Sequence, residues 1–215
     1  MVASRSSHPF VMLQQLDPAN CLTLTGLGLS AASAFFSIHG QIYAALIGLL
    51  GAGIVDLFDG FVARKIERTE LQAKLGQQLD SIVDVCSFGF NPVIFAYCFG
   101  LQDPLSIAIL LLYAGATALR LAYFNCAGLV ETENQQYFTG LPVTYAALFI
   151  PLISLASFSL SAAVVKSTFE VLYLGLAIAM VSPLKIKKLR GAWYGFFSFF
   201  AVLLTARYLY AIFQN

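Results

Sequence analysis

The sequence predicts an all-α, polytopic membrane protein: one bundle of about six to eight transmembrane helices. Two observations carry this. Of 215 residues, 59% are hydrophobic and only 11% charged, with a mean hydropathy of +0.80, whereas a soluble domain is roughly 25% charged. Apolar stretches of about the 17–25 residues that cross a bilayer recur along the whole chain. They are separated by short connections, with no soluble-like insertion, linker or low-complexity tract.

The N-terminal segment, residues 1–16, carries one arginine and no long apolar run before Asp17. That argues against a cleaved signal peptide and for a short interfacial helix. Seven spans follow, near 20–38, 41–64, 75–99, 104–125, 141–160, 168–184 and 191–213. Asp80, Asp84, Asn91 and Pro92 interrupt the third, and the boundary between the fifth and sixth is weak, so six or eight spans also fit. No internal repeat emerges, which weakens an inverted-repeat transporter. Cys21, Cys86, Cys98 and Cys126 show no CxxC spacing and read as small buried thiols rather than a zinc site or disulfide framework. His8 and His39 fall in the tail and a turn, with no role assigned. A net charge of +1, without a basic, aromatic-interleaved strand pattern, excludes nucleic acid as a partner.

Basic residues orient the bundle. With a cytoplasmic N-terminus, one side receives Arg5, Arg64, Lys65, Arg68, Lys74, Arg120, Lys185, Lys187, Lys188 and Arg190, and the other only Lys166 and Arg207. The positive-inside rule makes the crowded side cytoplasmic. Seven spans would then leave the C-terminus outside.

The segment DLFDGFVARKIERTELQAKLGQQLDSIVD, residues 56–84, breaks the apolar pattern with four aspartates. Ionisable groups within a membrane are expensive and usually functional. Asp56 and Asp59 share a helix face near the end of span two, as Asp80 and Asp84 do near the start of span three. Joined by the polar turn KIERTELQAK, antiparallel spans would bring the pairs face to face. Four converging carboxylates repel unless protonated or neutralised. Hard divalent ions with oxygen ligands, Mg²⁺ or Mn²⁺, answer that need, and two about 4 Å apart form a clamp for displacement at phosphorus. Gly60 and Gly76 leave room for a ligand or second backbone, and Ala63 keeps the same face low. Arg64 offers a fork suited to a pyrophosphate, with Lys74 as a second charge. Gly48, Gly51 and Gly53 read as helix-packing residues. A lone intramembrane aspartate serves a proton relay or structural ion pair equally well; four in this pattern beside an arginine point to a site.

DLFDGFVAR followed by GQQLDSIVD resembles the signature of the CDP-alcohol phosphatidyltransferases, with Asp56, Asp59, Gly60, Ala63, Arg64, Gly76, Asp80 and Asp84 in its defining places. The spacing between Arg64 and Gly76 is longer than the family's common one, which displaces Lys74 from the pattern. The resemblance implies a membrane-embedded transferase acting on CDP-diacylglycerol among membrane lipids, and a homodimer. It implies that Asp56, Asp59 and Asp80 hold a pair of divalent ions, and that Asp84 completes the site and acts as base. Gly60, Ala63 and Arg64 would receive the cytidine diphosphate, with Gly76 and Lys74 beside them. PANCLTLTG resembles the family's opening of the first span, so Asn20 and Thr23 either line the site or cap the helix. Residues 17–126 would then form the catalytic core, and 127–215 the acceptor-side and peripheral helices.

LDSIVDVCSFGFNPVIFAY, ALRLAYFN at 118–125, FTGLP at 138–142 and MVS at 180–182 resemble the bacterial and archaeal phosphatidylserine synthases of that family, with departures at Asn91 and in the VTY after FTGLP. This implies L-serine as acceptor and a prokaryotic cytoplasmic membrane, with the active site facing the cytoplasm. Arg120 suits an amino acid's carboxylate; otherwise it snorkels to headgroups or pairs with a motif aspartate. Asn125 and the turn of Gly140 and Pro142 would finish the acceptor pocket. Glycerol phosphate, inositol phosphate and choline are the alternative acceptors. A phosphorylated acceptor should demand several basic residues, and only Arg120 and Lys74 stand out as candidates. Outside this chemistry, an ion-coupled transporter could use the same aspartates as cation ligands.

Overall fold

Caps and small residues set the first hairpin. The computed structural model describes residues 12–132, 135–187 and 192–214; residues 1–11 of the expected interfacial segment, with Arg5 and His8, and Lys188 and Arg190 of the basic cluster lie outside the described residues. Helix α1 (Pro18–Ile38) begins where the Asp17 carboxylate accepts the Asn20 backbone N–H at 2.8 Å, with Pro18 at the first position, where a missing N–H is no loss. Gly40, at φ +72°, turns the chain into α2 (Ile42–Ala63). The two helices approach closely because a Cβ on Gly48 would lie 2.8 Å from the Ser33 Cβ, and Ser33 Oγ donates to the Ala45 carbonyl at 2.7 Å.

The third span is one continuous helix, where the sequence suggested an interruption. It runs as α3 (Glu70–Asp84), a π-helical segment (Val85–Phe90) and α4 (Asn91–Cys98). A capping box between Thr69 and Gln72 starts it. Its wide turns begin immediately after Asp84, a placement common at functional sites. Pro92 has no N–H to return to the preceding turn. Instead the Tyr113 hydroxyl donates to the Phe88 carbonyl, and Tyr173 donates to the Pro92 carbonyl at 2.6 Å. Neighbouring tyrosines thus accommodate what looked like a helix breaker.

Helix α5 (Pro104–Ala127) is capped by Asp103 and leads into β1 (Val130–Thr132) and β2 (Gln135–Thr139). A short apolar segment, Val143–Phe158, follows, with α6 (Ala146–Ser154) between two 3₁₀ turns. Helix α7 (Ala162–Val181), β3 (Lys185–Lys187) and α8 (Ala192–Gln214) complete the order. The strands pair antiparallel as β1-β2-β3, with Phe138 opposite Ile186. This sheet was not legible in the sequence: strands of three to five residues show no alternation, and the helices they extend hold them together.

Six helices are long and apolar enough to cross a membrane, so the chain is an integral membrane protein. The span expected near 141–160 is shorter. Its ends nevertheless lie at opposite ends of the bundle: Leu141 N–H donates to the Ala179 carbonyl, while Phe158 stacks on Tyr43 at 5.4 Å. Its 3₁₀ turns rise about 2.0 Å per residue against 1.5 Å in an α-helix, which lengthens the crossing. Outward-facing residues such as Leu111, Val171 and Phe199 are large and exposed, as lipid contact requires, while Leu46, Phe95, Tyr113, Phe169 and Tyr208 are fully buried between helices. At the end remote from Asp59, Lys166 pairs with Asp103 at 2.6 Å and ties α7 to α5. The Lys166 ammonium, with the Ser106 hydroxyl, holds the Asp103 carboxyl well below the usual carboxylate range.

Gly48→Ala should push α1 from α2 and destabilise the protein by about 1–3 kcal/mol, the usual penalty of overpacking. Gly28→Ala meets open space and should not. Thermal unfolding in detergent compares them; equal melting temperatures would refute the close approach.

Candidate active site

Helices α2 and α3 scarcely touch each other; α1 packs against both. The gap between them is lined by carboxylates. Asp56 of α2 and Asp80 and Asp84 of α3 each present an oxygen, all within 4.8 Å of one another. No lysine or arginine among the described residues forms a salt bridge with them. Three carboxylates so close in apolar surroundings cannot all stay ionised without a cation between them. All-oxygen ligands select hard divalent ions over soft ones. These residues therefore fit a divalent metal. Asp59 stands outside the trio, and its carboxylate accepts from the Thr23 hydroxyl of α1 at 2.8 Å. Its place one face round α2 from Asp56 turns it toward α1.

The first span's opening works as a brace. Asp17 does the capping, so Asn20 and Thr23 are not capping side chains. The buried Asn20 Oδ1 accepts from Arg68 Nη2 at 2.7 Å, and Arg68 Nε pairs with Asp17 at 2.7 Å. In the sequence Arg68 reads only as an orienting charge in a polar turn. Only folding shows that it reaches back 51 positions to Asp17. Gly76 serves this brace: a Cβ there would collide with the Arg68 guanidinium and the Asn20 amide. Gly60, by contrast, faces open space, its Cβ position meeting only Arg64 Nη1 at 3.7 Å. Arg64 caps the end of α2 next to Ala63. Lys74 does not join the site. It is exposed on α3 and pairs with Glu70 at 2.6 Å.

Arg120 is buried, and its Nε and Nη2 have no hydrogen-bond partner. Its guanidinium lies 5.2 Å from the Phe124 ring and 5.5 Å from Phe138. Neither snorkelling nor a salt bridge with a motif aspartate accounts for it. The opposing charges that act on it are Asp84 and Asp56. Buried guanidinium N–H groups left without an acceptor are costly unless a ligand completes them. Asn125 is exposed and donates to Ser81 Oγ of α3 at 2.8 Å. Gly140 belongs to the fold: at φ +73° its N–H donates to the Leu184 carbonyl at 2.8 Å, and a Cβ would strike the Met180 carbonyl. Pro142 lines a cavity of about 260 Å³ that also takes in Asp56, Gly60, Arg64 and Lys187. Lys187 was read in the sequence only as an orienting charge; the sheet brings it here.

The sequence profile of the CDP-alcohol phosphatidyltransferase family matches residues 17–182. An archaetidylserine synthase of Methanothermobacter thermautotrophicus is 31% identical over 160 residues, covering 74% of this chain and 64% of that protein. A CDP-diacylglycerol–serine O-phosphatidyltransferase of Saccharomyces cerevisiae is 34% identical over 153 residues, covering 63% of this chain and 52% of its own. The Bacillus subtilis protein of the same name is 29% identical over 137 residues, covering 62% of this chain and 73% of its own. The chain spans about half to two thirds of the length of the first two.

If the trio binds a divalent ion, Mn²⁺ should raise the melting temperature of chelator-stripped protein, since a ligand that binds only the folded state stabilises it. Asp80→Asn should remove most of that rise and Lys74→Ala none of it. An equal rise in wild type and Asp80→Asn would place the ion elsewhere.

Proposed function

The chain belongs to the CDP-alcohol phosphatidyltransferase family, and on that premise we propose that it transfers the phosphatidyl group of CDP-diacylglycerol to the hydroxyl of L-serine, releasing CMP. The observation that carries this reading is the buried Arg120, whose Nε and Nη2 have no hydrogen-bond partner, on the helix whose Asn125 meets Ser81 of α3. A neutral alcohol would leave that guanidinium orphaned. An amino acid's carboxylate completes it with two parallel hydrogen bonds.

Asp56, Asp80 and Asp84, with Asp59 beside them, would hold Mg²⁺ or Mn²⁺, two ions in this reading, which supply charge neutralisation at the pyrophosphate and polarisation of the reacting phosphorus. Gly60 and Ala63 keep the α2 face low for the nucleotide, and Arg64 neutralises the departing CMP. Arg120 grips the serine carboxylate and so fixes the hydroxyl. Asp84, the most enclosed of the trio and next to the π segment, accepts the hydroxyl proton as that oxygen attacks the phosphorus of the diacylglycerol phosphate. The new P–O bond forms as the bond to the CMP oxygen breaks, and CMP leaves with the electron pair. Thr23 keeps Asp59 oriented throughout.

Arg64, Lys65, Arg68, Lys74, Arg120, Lys185 and Lys187 gather at the aspartate end, against Lys166 and Arg207 at the other. This asymmetry supports a site facing the cytoplasm. We propose a homodimer as its assembly; a protein mass near one 23.3 kDa chain in detergent would refute that. Glycerol phosphate and inositol phosphate form the second reading. Lys187 beside Arg64 favours them, as two cations suit a phosphorylated acceptor.

The deciding experiment incubates purified protein with CDP-diacylglycerol, Mn²⁺ and serine, glycerol phosphate, inositol phosphate or choline. CMP release with serine alone, abolished by EDTA, is expected. No CMP release with any acceptor would overturn the reading in favour of cation-coupled transport. Asp84→Asn keeps the size but not the base, so turnover should fall by about 10²–10⁴ while CDP-diacylglycerol still binds. Near-normal turnover would remove Asp84 from that role. Arg120→Lys loses the planar fork and should raise the KM for serine about ten- to a hundredfold, with little change for the lipid donor. Equal losses for both substrates would put Arg120 in the nucleotide site or the fold.

A further inference from the structure

The cavity beside Asp56 has a graded lining. Arg64 at the end of α2 and Lys187 of β3 line its mouth with Asp56, while Leu50 and Ile54, further back along α2, line it with Phe197 and Ala201 of α8. Where α2 meets α6 the wall is closed, since a Cβ on Gly53 would lie 2.7 Å from the Ala147 Cβ. The volume of about 260 Å³ falls just short of the roughly 300–1,000 Å³ that encloses a whole drug-sized ligand. Two cations at the mouth and an apolar depth match one kind of molecule in a bilayer: an anionic phosphate carrying a hydrocarbon chain. The space is too small for two such chains. Helix α8, starting at Ala192, lies beyond the matched residues 17–182, yet it supplies part of this wall. Helix α8 lines the cavity with Phe197 and the small Ala201, while Phe199, Val202 and Leu203 face outward.

We propose that α8 and Lys187 make this cavity the seat of one acyl chain of the lipid donor, and that Ala201 sets the chain length the protein prefers. The inference rests on the phosphatidyltransferase reading and adds a chain-measuring wall to it. The donor's phosphate lies between Arg64 and Lys187, one chain runs down past Ala201, and the second stays in the bilayer.

The test compares CDP-dioleoylglycerol with CDP-dihexanoylglycerol in mixed micelles containing Mn²⁺ and serine. Ala201→Phe fills the depth, so the ratio of kcat/KM for the long-chain donor to that for the short-chain donor should fall about tenfold, the worth of roughly two methylenes denied apolar contact. The change should appear in KM. Ala201→Leu should shift the ratio in the same direction by less, and it is the variant read if the phenylalanine prevents folding. Lys187→Ala should raise KM for both donors alike. An unchanged ratio in a folded, CMP-releasing Ala201 variant overturns the chain seat and leaves the transferase reading intact. Thermal stabilisation by the two donors separates the two claims from the other side. If wild type releases no CMP but is stabilised more by the long-chain donor, and Ala201→Leu loses that excess, the transferase reading falls and the seat stands.

Discussion

The structure depends on keeping Asp56, Asp80 and Asp84 together inside an apolar slab. Carboxylates this close oppose the approach of α2 and α3, which make few direct contacts. The brace is α1. Thr23 binds Asp59 on one side, while Asp17 and Asn20 hold Arg68 of the α2–α3 connection on the other. The Asp17–Arg68 ion pair is largely buried, so removing either partner would strand a charge rather than merely weaken a contact. Gly76 is small because this guanidinium needs its place.

Around that gap, rigidity comes from polar groups answered one by one. The π segment starts at the residue after Asp84, and the carbonyls near Pro92 are met by Tyr113 and Tyr173, whose rings pack edge to face at 4.9 Å. Tyr208 does the same for the Pro151 carbonyl in the short sixth helix. In a medium without water, a carbonyl left without a helical N–H requires such a donor. Two proline-bearing helices are thereby tied to their neighbours, and the face carrying Asp80 and Asp84 has a fixed orientation.

The opposite pattern holds at Arg120, Ser87 and Asn91, whose buried polar atoms lack partners. Three tyrosines answer carbonyls in these helices, whereas two N–H groups of the Arg120 guanidinium, stacked near Phe124 and Phe138, are left for a ligand in the proposed reading. The three-stranded sheet closes the same end, placing Phe138 against Arg120 and Lys187 at the cavity mouth.

Composition and the length of apolar runs determined the fold class and most of the helices, because membrane spans need about 20 apolar residues whatever their partners. Spacing within one contiguous segment determined the carboxylate site, since Asp56, Asp80 and Asp84 sit on two helices joined by a short hairpin. Residues whose meaning depends on distant partners stayed hidden. Arg68 and Lys74 look alike in the sequence, yet one is locked onto Asp17 and the other paired with Glu70 in solvent. Gly140 marks a turn in the sequence, but its close approach to the Met180 carbonyl at the end of α7 shows only in the fold. Lys187 reaches the cavity only because β3 pairs with β2. Local periodicity encodes which stretches become helices, but a side chain's environment is set by helices and strands packed from elsewhere in the chain, and only the tertiary structure decides that.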